Sequence, residues 1–80
     1  MTLNELPVGA SAVILRVGGQ QSFRRRLLEL GLLPGTEVQL LRVAPLGDPL
    51  ELWARDCNLS IRKQEAELLH IEPRTGARAQ

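Results

Sequence analysis

Hydrophobic positions along this chain change period several times, and each change marks the edge of an element. Residues 12–17 are β-branched or apolar on both faces, which predicts a strand covered on two sides. Gly18-Gly19 breaks it. Ser22 is placed to N-cap a helix over residues 23–30, in which Phe23, Leu27 and Leu30 recur at i, i+4 and i+7 as one buried stripe. Leu28 is then turned partly away from that stripe. Residues 37–43 read as a second strand whose apolar positions change phase between Leu40 and Leu41, so a bulge or burial on both faces is expected. Residues 50–55 alternate strictly, with Leu50, Leu52 and Ala54 on one face and Glu51, Trp53 and Arg55 on the other. Asp56-Cys57-Asn58 reads as the turn into a strand over residues 59–62. A helical turn over residues 64–67 and a last strand over residues 69–72 complete the pattern.

The connections carry their own chemistry. Thr2 and Glu5 have capping-box spacing, enough for one helical turn that Pro7 stops. Gly31 can take the left-handed conformation that ends a helix after Leu30, and Leu32 then falls where a Schellman cap packs an apolar residue back against Leu27. Pro34-Gly35 suits the centre of a type II turn, because proline presets φ and glycine supplies the positive φ. Ala44-Pro45-Leu46-Gly47-Asp48-Pro49 is a second turn, stiffened by two prolines and tipped by leucine. Short strands separated by turns, with one two-turn helix, predict a small, mainly β domain over residues 1–72. Residues 73–80 lack apolar periodicity and read as a frayed tail.

The order Arg26-Leu27, Gly31-Leu32, Pro34-Gly35 and Ala44 to Pro49 resembles the FeoA family of small ferrous-iron-transport accessory proteins. Leu6-Pro7-Val8-Gly9 resembles that family's entry into its first strand. Ile61-Arg62-Lys63-Gln64-Glu65-Ala66, with Leu69 and Ile71, resembles its closing segment. The resemblance covers about residues 3–72 and implies an SH3-like barrel of about five strands with helical decoration. Two positions depart from the family pattern: Asp56 stands where glycine is usual, and Cys57 where an aromatic is common. Asp tolerates positive φ, so the turn survives; the volume released at residue 57 is expected to be filled by Trp53.

Eighty residues make one small domain, which buries roughly 60–65% of its extended surface. Sixteen leucines supply the core, and Phe23 and Trp53 are the aromatic residues. A net charge of +1 implies no general attraction to a polyanion. A single cysteine excludes an internal disulfide and fits a reducing compartment. No apolar run approaches the ~20 residues needed to span a bilayer, and no signal sequence opens the chain. The expectation is a cytoplasmic protein.

Candidate chemistry is sparse. His70 is the only imidazole and Cys57 the only thiol, with no partner at ligand spacing, so no metal site is expected and His70 reads as an ordinary surface histidine. No nucleophile has a base with an orienting group, and Glu65 and Glu67 at i, i+2 point apart on a helical turn. No phosphate-binding glycine loop ending in lysine is present. The chain is therefore expected to be no enzyme and to hold no cofactor. Arg24-Arg25-Arg26 opposes the helix dipole, which Glu29 or an acidic partner would compensate. Without interleaved aromatic residues the triplet does not read as a nucleic-acid site.

What remains is apolar side chains outside the buried stripe, each readable as a lid over the core or as a partner contact: Leu46 is open to both readings, and Trp53 reads first as core. A rigid loop presenting Leu46 loses little entropy on docking. The FeoA resemblance implies a partner of FeoB, the membrane ferrous-iron transporter with a cytoplasmic nucleotide-binding portion. The expected docking surface is Leu28, Leu46 and Trp53, with Arg26 and Arg62 supplying charge. Two alternatives stand beside it. SH3-like domains also form part of some iron-dependent repressors, so binding such a regulator in trans is one; without room for a DNA-reading domain ahead of the barrel, the chain is not expected to be such a repressor itself. The other is self-association through exposed leucines and a strand edge.

Overall fold

The computed structural model describes residues 1–74. Its strands are β1 (Ser11–Val17), β2 (Glu37–Val43), β3 (Leu50–Ala54), β4 (Cys57–Ile61) and β5 (Leu69–Arg74). They form one antiparallel sheet in the order β4-β3-β2-β1-β5. Two helices, α1 (Gln21–Glu29) and α2 (Lys63–Ala66), and an N-terminal 3₁₀ turn at Leu3–Glu5 complete the domain. The mainly β architecture with a short helix is therefore as the sequence predicts.

The sheet does not close as a continuous ladder. Among the described residues, β4 and β5 are its two ends and share no register. The free side of β5 is covered locally instead: Thr2 bridges His70, and the Ile71 amide donates to the Met1 carbonyl at 2.9 Å. In the 3₁₀ turn, the Thr2 amide donates to the Glu5 carboxylate at 2.9 Å, one half of the anticipated capping box.

Two bulges explain the phase changes in the strands. In β2 the register with β3 steps from Leu40↔Leu52 to Arg42↔Glu51, leaving Leu41 as the additional residue. In β1 the register with β5 steps from Ile14↔Ile71 to Arg16↔His70, leaving Leu15 unopposed. The apolar run in β1 is thus not covered on both faces. Leu15 is 53% exposed because the bulge rotates it out while Ile14 and Val17 stay in the core.

Helix α1 is held at its C-terminal end. Gly31 has φ +94°, its amide donates to the Leu28 carbonyl, and the Leu32 amide donates to the Leu27 carbonyl, each at 3.0 Å. That is the Schellman pair of bonds, and the leucines it apposes, Leu27 and Leu32, are both fully buried. Burying each contributes roughly 1.5–3 kcal/mol. The start of the helix differs from expectation. Gln20, not Ser22, is the capping residue, and it makes no side-chain cap bond. Residues 21–26 are all exposed, Phe23 at 37% included, so the buried stripe begins at Leu27. Leu30, expected in the stripe, is only half-buried, and Leu28, expected to turn partly away, is half-buried as well; both pack against the core.

The Pro34-Gly35 turn forms as predicted, with φ +92° at Gly35 and the Thr36 amide donating to the Leu33 carbonyl at 3.0 Å. It is stitched to β1 by Gly35 N–H to the Ile14 carbonyl at 2.7 Å. The β3–β4 hairpin is tighter than expected. Ala54 pairs directly with Cys57, so the turn is Arg55-Asp56, both with positive φ (53° and 62°), as a two-residue hairpin loop requires. Cys57 is exposed and starts β4, so no core volume is left there for Trp53, which faces Asn58 across the strands. At the chain's other end, Pro73 and Arg74 continue β5 opposite Ala12 and Ser11, two residues past the expected boundary. An edge strand tolerates the amide that proline lacks. The rest of the anticipated tail, residues 75–80, lies outside the described residues.

The Schellman stop yields a direct test. A Cβ at Gly31 would stand 2.9 Å from the Arg55 Cδ in addition to straining the left-handed backbone. Gly31→Ala is expected to cost about 1–2 kcal/mol in urea unfolding; an unchanged midpoint would show that the helix end is not under this constraint.

Candidate protein-docking site

The loop between β2 and β3 closes on itself through backbone bonds. The Gly47 amide, at φ +88°, donates to the Ala44 carbonyl at 2.7 Å, and the Ala44 amide donates to the Pro49 carbonyl at 3.0 Å. Pro45 and Pro49 restrict the remaining torsions. Leu46 stands at the tip and is 94% exposed, the most exposed large apolar side chain among the described residues.

Asp48 fastens this loop to α2. Its Oδ1 accepts the Lys63 amide at 3.0 Å, and its Oδ2 lies 4.0 Å from the Arg62 guanidinium. Lys63 is the first residue of α2, where amides have no partner within the helix, so Asp48 caps that helix from a distant loop. The next link is Glu65. Its side chain is only 4% exposed; Oε1 accepts the Arg62 amide at 2.8 Å and Oε2 accepts Arg26 Nη1 at 3.0 Å. Arg26 itself is half exposed, so one end of this ion pair is buried and the other is wet. The contacts run without a gap from α1 through Glu65 and the start of α2 to the Leu46 loop.

This network joins two of the five residues expected to form the docking surface, Arg26 and Arg62, to the loop that carries Leu46. Trp53 is elsewhere, on the outer face of the sheet opposite Gln39 and Asn58. Leu28 lies on another face of α1, beside Gln21, Arg24, Arg25 and Glu29. The residue that sequence reasoning missed is Glu65. Arg62 and Glu65 have the spacing of a cap and its N3 carboxylate, a signal visible in the sequence; the tie to Arg26, far away along the chain, had none. Arg24 and Arg25 make no ion pair among the described residues, and the expected compensation by Glu29 does not form. Little compensation is needed: α1 starts at Gln21, so Arg24 and Arg25 are its fourth and fifth residues and Arg26 lies in its last turn, and the expected opposition of the triplet to the helix dipole largely disappears.

Among the described residues no group of three or more His, Cys, Asp or Glu side chains could hold a metal ion. His70 is half-buried opposite Arg16. No helix among them is long and apolar enough to cross a membrane.

Comparison with known proteins extends this picture over almost the whole chain. The family model described as FeoA domain matches residues 1–73. A Porphyromonas gingivalis protein described as an Fe(2+) transport protein A/Fe(2+) transporter FeoB fusion is 40% identical over 72 residues, 90% of this chain and 8% of that protein. The chain thus spans less than a tenth of that relative. The solution structure of FeoA protein from Chlorobium tepidum superposes with a TM-score of 0.88 at 39% identity, covering 95% of this chain and 72% of the other. The crystal structure of Stenotrophomonas maltophilia FeoA complexed with zinc, described as a prokaryotic SH3 domain protein, gives a TM-score of 0.79 at 34% identity, covering 90% and 89%.

The asymmetry of the Arg26–Glu65 pair predicts unequal mutational costs. Glu65→Ala is expected to lose about 1.5–3 kcal/mol, the range for hydrogen bonds to a charged group. Arg26→Ala is expected to lose more, because it leaves the buried Glu65 carboxylate without its counter-charge, whereas a half-exposed Arg26 left by Glu65→Ala can turn to water. Urea unfolding of both variants measures this, and a smaller loss for Arg26→Ala would contradict the assignment.

Proposed function

The chain belongs to the FeoA domain family, which is associated with ferrous iron transport, and from that premise we propose that it is a non-enzymatic accessory protein that docks on the cytoplasmic portion of a FeoB-type transporter. Docking there supports or regulates Fe(II) uptake. The observation that carries this reading is Leu46: a leucine exposed at 94% on a loop closed by two backbone bonds and held by Asp48. Full burial of such a side chain contributes roughly 1.5–3 kcal/mol. Because the loop is already ordered, little of that gain is lost to fixing its conformation. Arg62 and Arg26 flank the same braced end of the molecule and supply positive charge for a partner's carboxylates. The fusion of the two proteins in one P. gingivalis chain supports the choice of partner, since fused domains work at high effective concentration of one another.

Self-association is a second reading, favoured by β4, whose outer edge has no paired strand among the described residues. It predicts a concentration-dependent dimer that a change at Leu46 leaves intact.

Calorimetric titration of the protein into the FeoB-type transporter of the same organism, with and without a GTP analogue, tests the docking reading. Leu46→Arg is expected to lower affinity by more than about 2 kcal/mol, roughly thirtyfold, with unchanged stability. Asp48→Ala is expected to weaken binding by roughly 0.5–1.5 kcal/mol by freeing the loop, and to change stability by about 1 kcal/mol or less. Unaltered affinity in Leu46→Arg would remove the loop from the interface. Absence of binding in every nucleotide state would remove the partner.

A further inference from the structure

The two edges of the sheet are finished differently. The outer side of β5 is bridged by Thr2 and Met1, and the strand carries Pro73 between two charged residues. β4 has none of the devices that keep an edge single: no charge, no proline, and a register with β3 that runs from Cys57 to Ile61 without a bulge. Hairpin geometry fixes where its backbone groups point. The two-residue turn makes Ala54 and Cys57 a pair that exchanges both bonds, and such pairs alternate along an antiparallel ladder. Cys57, Leu59 and Ile61 therefore turn their amides and carbonyls to β3, while Asn58 and Ser60 turn theirs outward. Both residues are exposed, and among the described residues neither finds a backbone partner on that side.

We propose that this edge pairs with the same edge of a second copy, antiparallel about a two-fold axis at Leu59; this rests on the self-association reading and gives it a surface and a register. Asn58 of each copy then opposes Ser60 of the other, and each of the two pairs exchanges both backbone bonds, which satisfies every outward group of the strand. Other two-fold registers fail. With the axis at Asn58, Ser60 meets Asp56, which the hairpin holds in the left-handed region at φ 62°. With the axis at Ser60, Asn58 meets Arg62, whose amide donates to the Glu65 carboxylate and whose carbonyl accepts the Glu65 and Ala66 amides. A slip of one residue sets outward groups against inward ones. At the axis, Leu59 is half-buried against the core, and it meets its counterpart at a pair without hydrogen bonds, where side chains approach closely. With no charge in the strand, no like charges are opposed. The strand is therefore complementary to itself, the condition for a two-fold contact. Each Leu46 loop adjoins Leu50, opposite Ile61, so pairing leaves the two loops at opposite ends of the joined sheet.

Sedimentation equilibrium of the full chain over roughly 10 μM to 1 mM reads the dimer, with apparent mass expected to rise toward twice 8.9 kDa. Amide exchange at Asn58 and Ser60 is expected to slow with concentration, and that at Leu59, already bonded to β3, to change little. In a mixture of ¹³C-labelled and unlabelled chains, an NOE between the Leu59 Hα protons of the two copies identifies the register. Asn58→Lys/Ser60→Lys opposes like charges in both pairs and is expected to weaken the dimer roughly tenfold, whereas Asn58→Glu/Ser60→Lys opposes unlike charges and is expected to tighten it severalfold. Within the chain, residue 60 lies opposite Glu51 and residue 58 opposite Trp53, so neither variant sets like charges against each other in the sheet; urea midpoints check that both fold. A folded monomer throughout the range would overturn the self-association reading and this proposal with it. A dimer of equal affinity in both variants, or one protected on another surface, would leave self-association standing and overturn the β4 register. So would protection of Asn58 and Ser60 that appears only when the FeoB-type transporter is added, because the edge would then take a foreign strand.

Discussion

Glu65 is the constraint on which the irregular half of this protein depends. A carboxylate with 4% of its side chain exposed must have both oxygens satisfied, since an unpaired buried charge costs several kcal/mol. It meets that demand with the Arg62 amide on one oxygen and the Arg26 guanidinium on the other. The first bond fixes the entry of α2. The second ties α2 to α1, which otherwise touches the core mainly through Leu27, Leu28 and Leu30. With α2 fixed, the Lys63 amide is in place to receive Asp48, and the Leu46 loop is fixed in turn.

The sheet and the loops thus answer to different forces. The sheet is held by ordinary burial: alternating leucines on β3 pack inward, and two bulges let β1 and β2 keep their core positions while discarding Leu15 and Leu41. The elements around it are too short to be stable by propensity. They are held by end chemistry, namely the Schellman bonds after α1, the type II turn at Pro34-Gly35 and the borrowed cap on α2. A small domain without a disulfide relies on such local devices, because its core alone leaves a modest margin.

What could be read in the sequence follows the same division. Features encoded by neighbouring residues were legible: the Gly31 stop, the Pro34-Gly35 turn, the β2 bulge, the alternation of β3 and the exposed tip at Leu46. Features set by distant partners were not. Nothing local separates Leu15 from its apolar neighbours until β5 pairs with β1 and steps past it. Phe23 has the right spacing for a buried stripe, but the first turns of α1 extend beyond the surface it would cover. Arg55-Asp56 lacks the glycine that usually signals a two-residue hairpin. The Arg26–Glu65 pair depends on tertiary convergence, so the part of the candidate site that holds it together was hidden while its apolar tip was visible.

Functionally, the structure offers an apolar side chain on a loop closed by its own backbone bonds, and the account's central claim is that this order of the loop exists before any partner arrives. Backbone ¹⁵N relaxation of the free protein addresses it directly. Order parameters at Leu46 and Gly47 near those of the strands, about 0.85, are the predicted result. Values below about 0.6, with the loop sampling many conformations, would contradict it and leave Leu46 as an ordinary mobile surface residue.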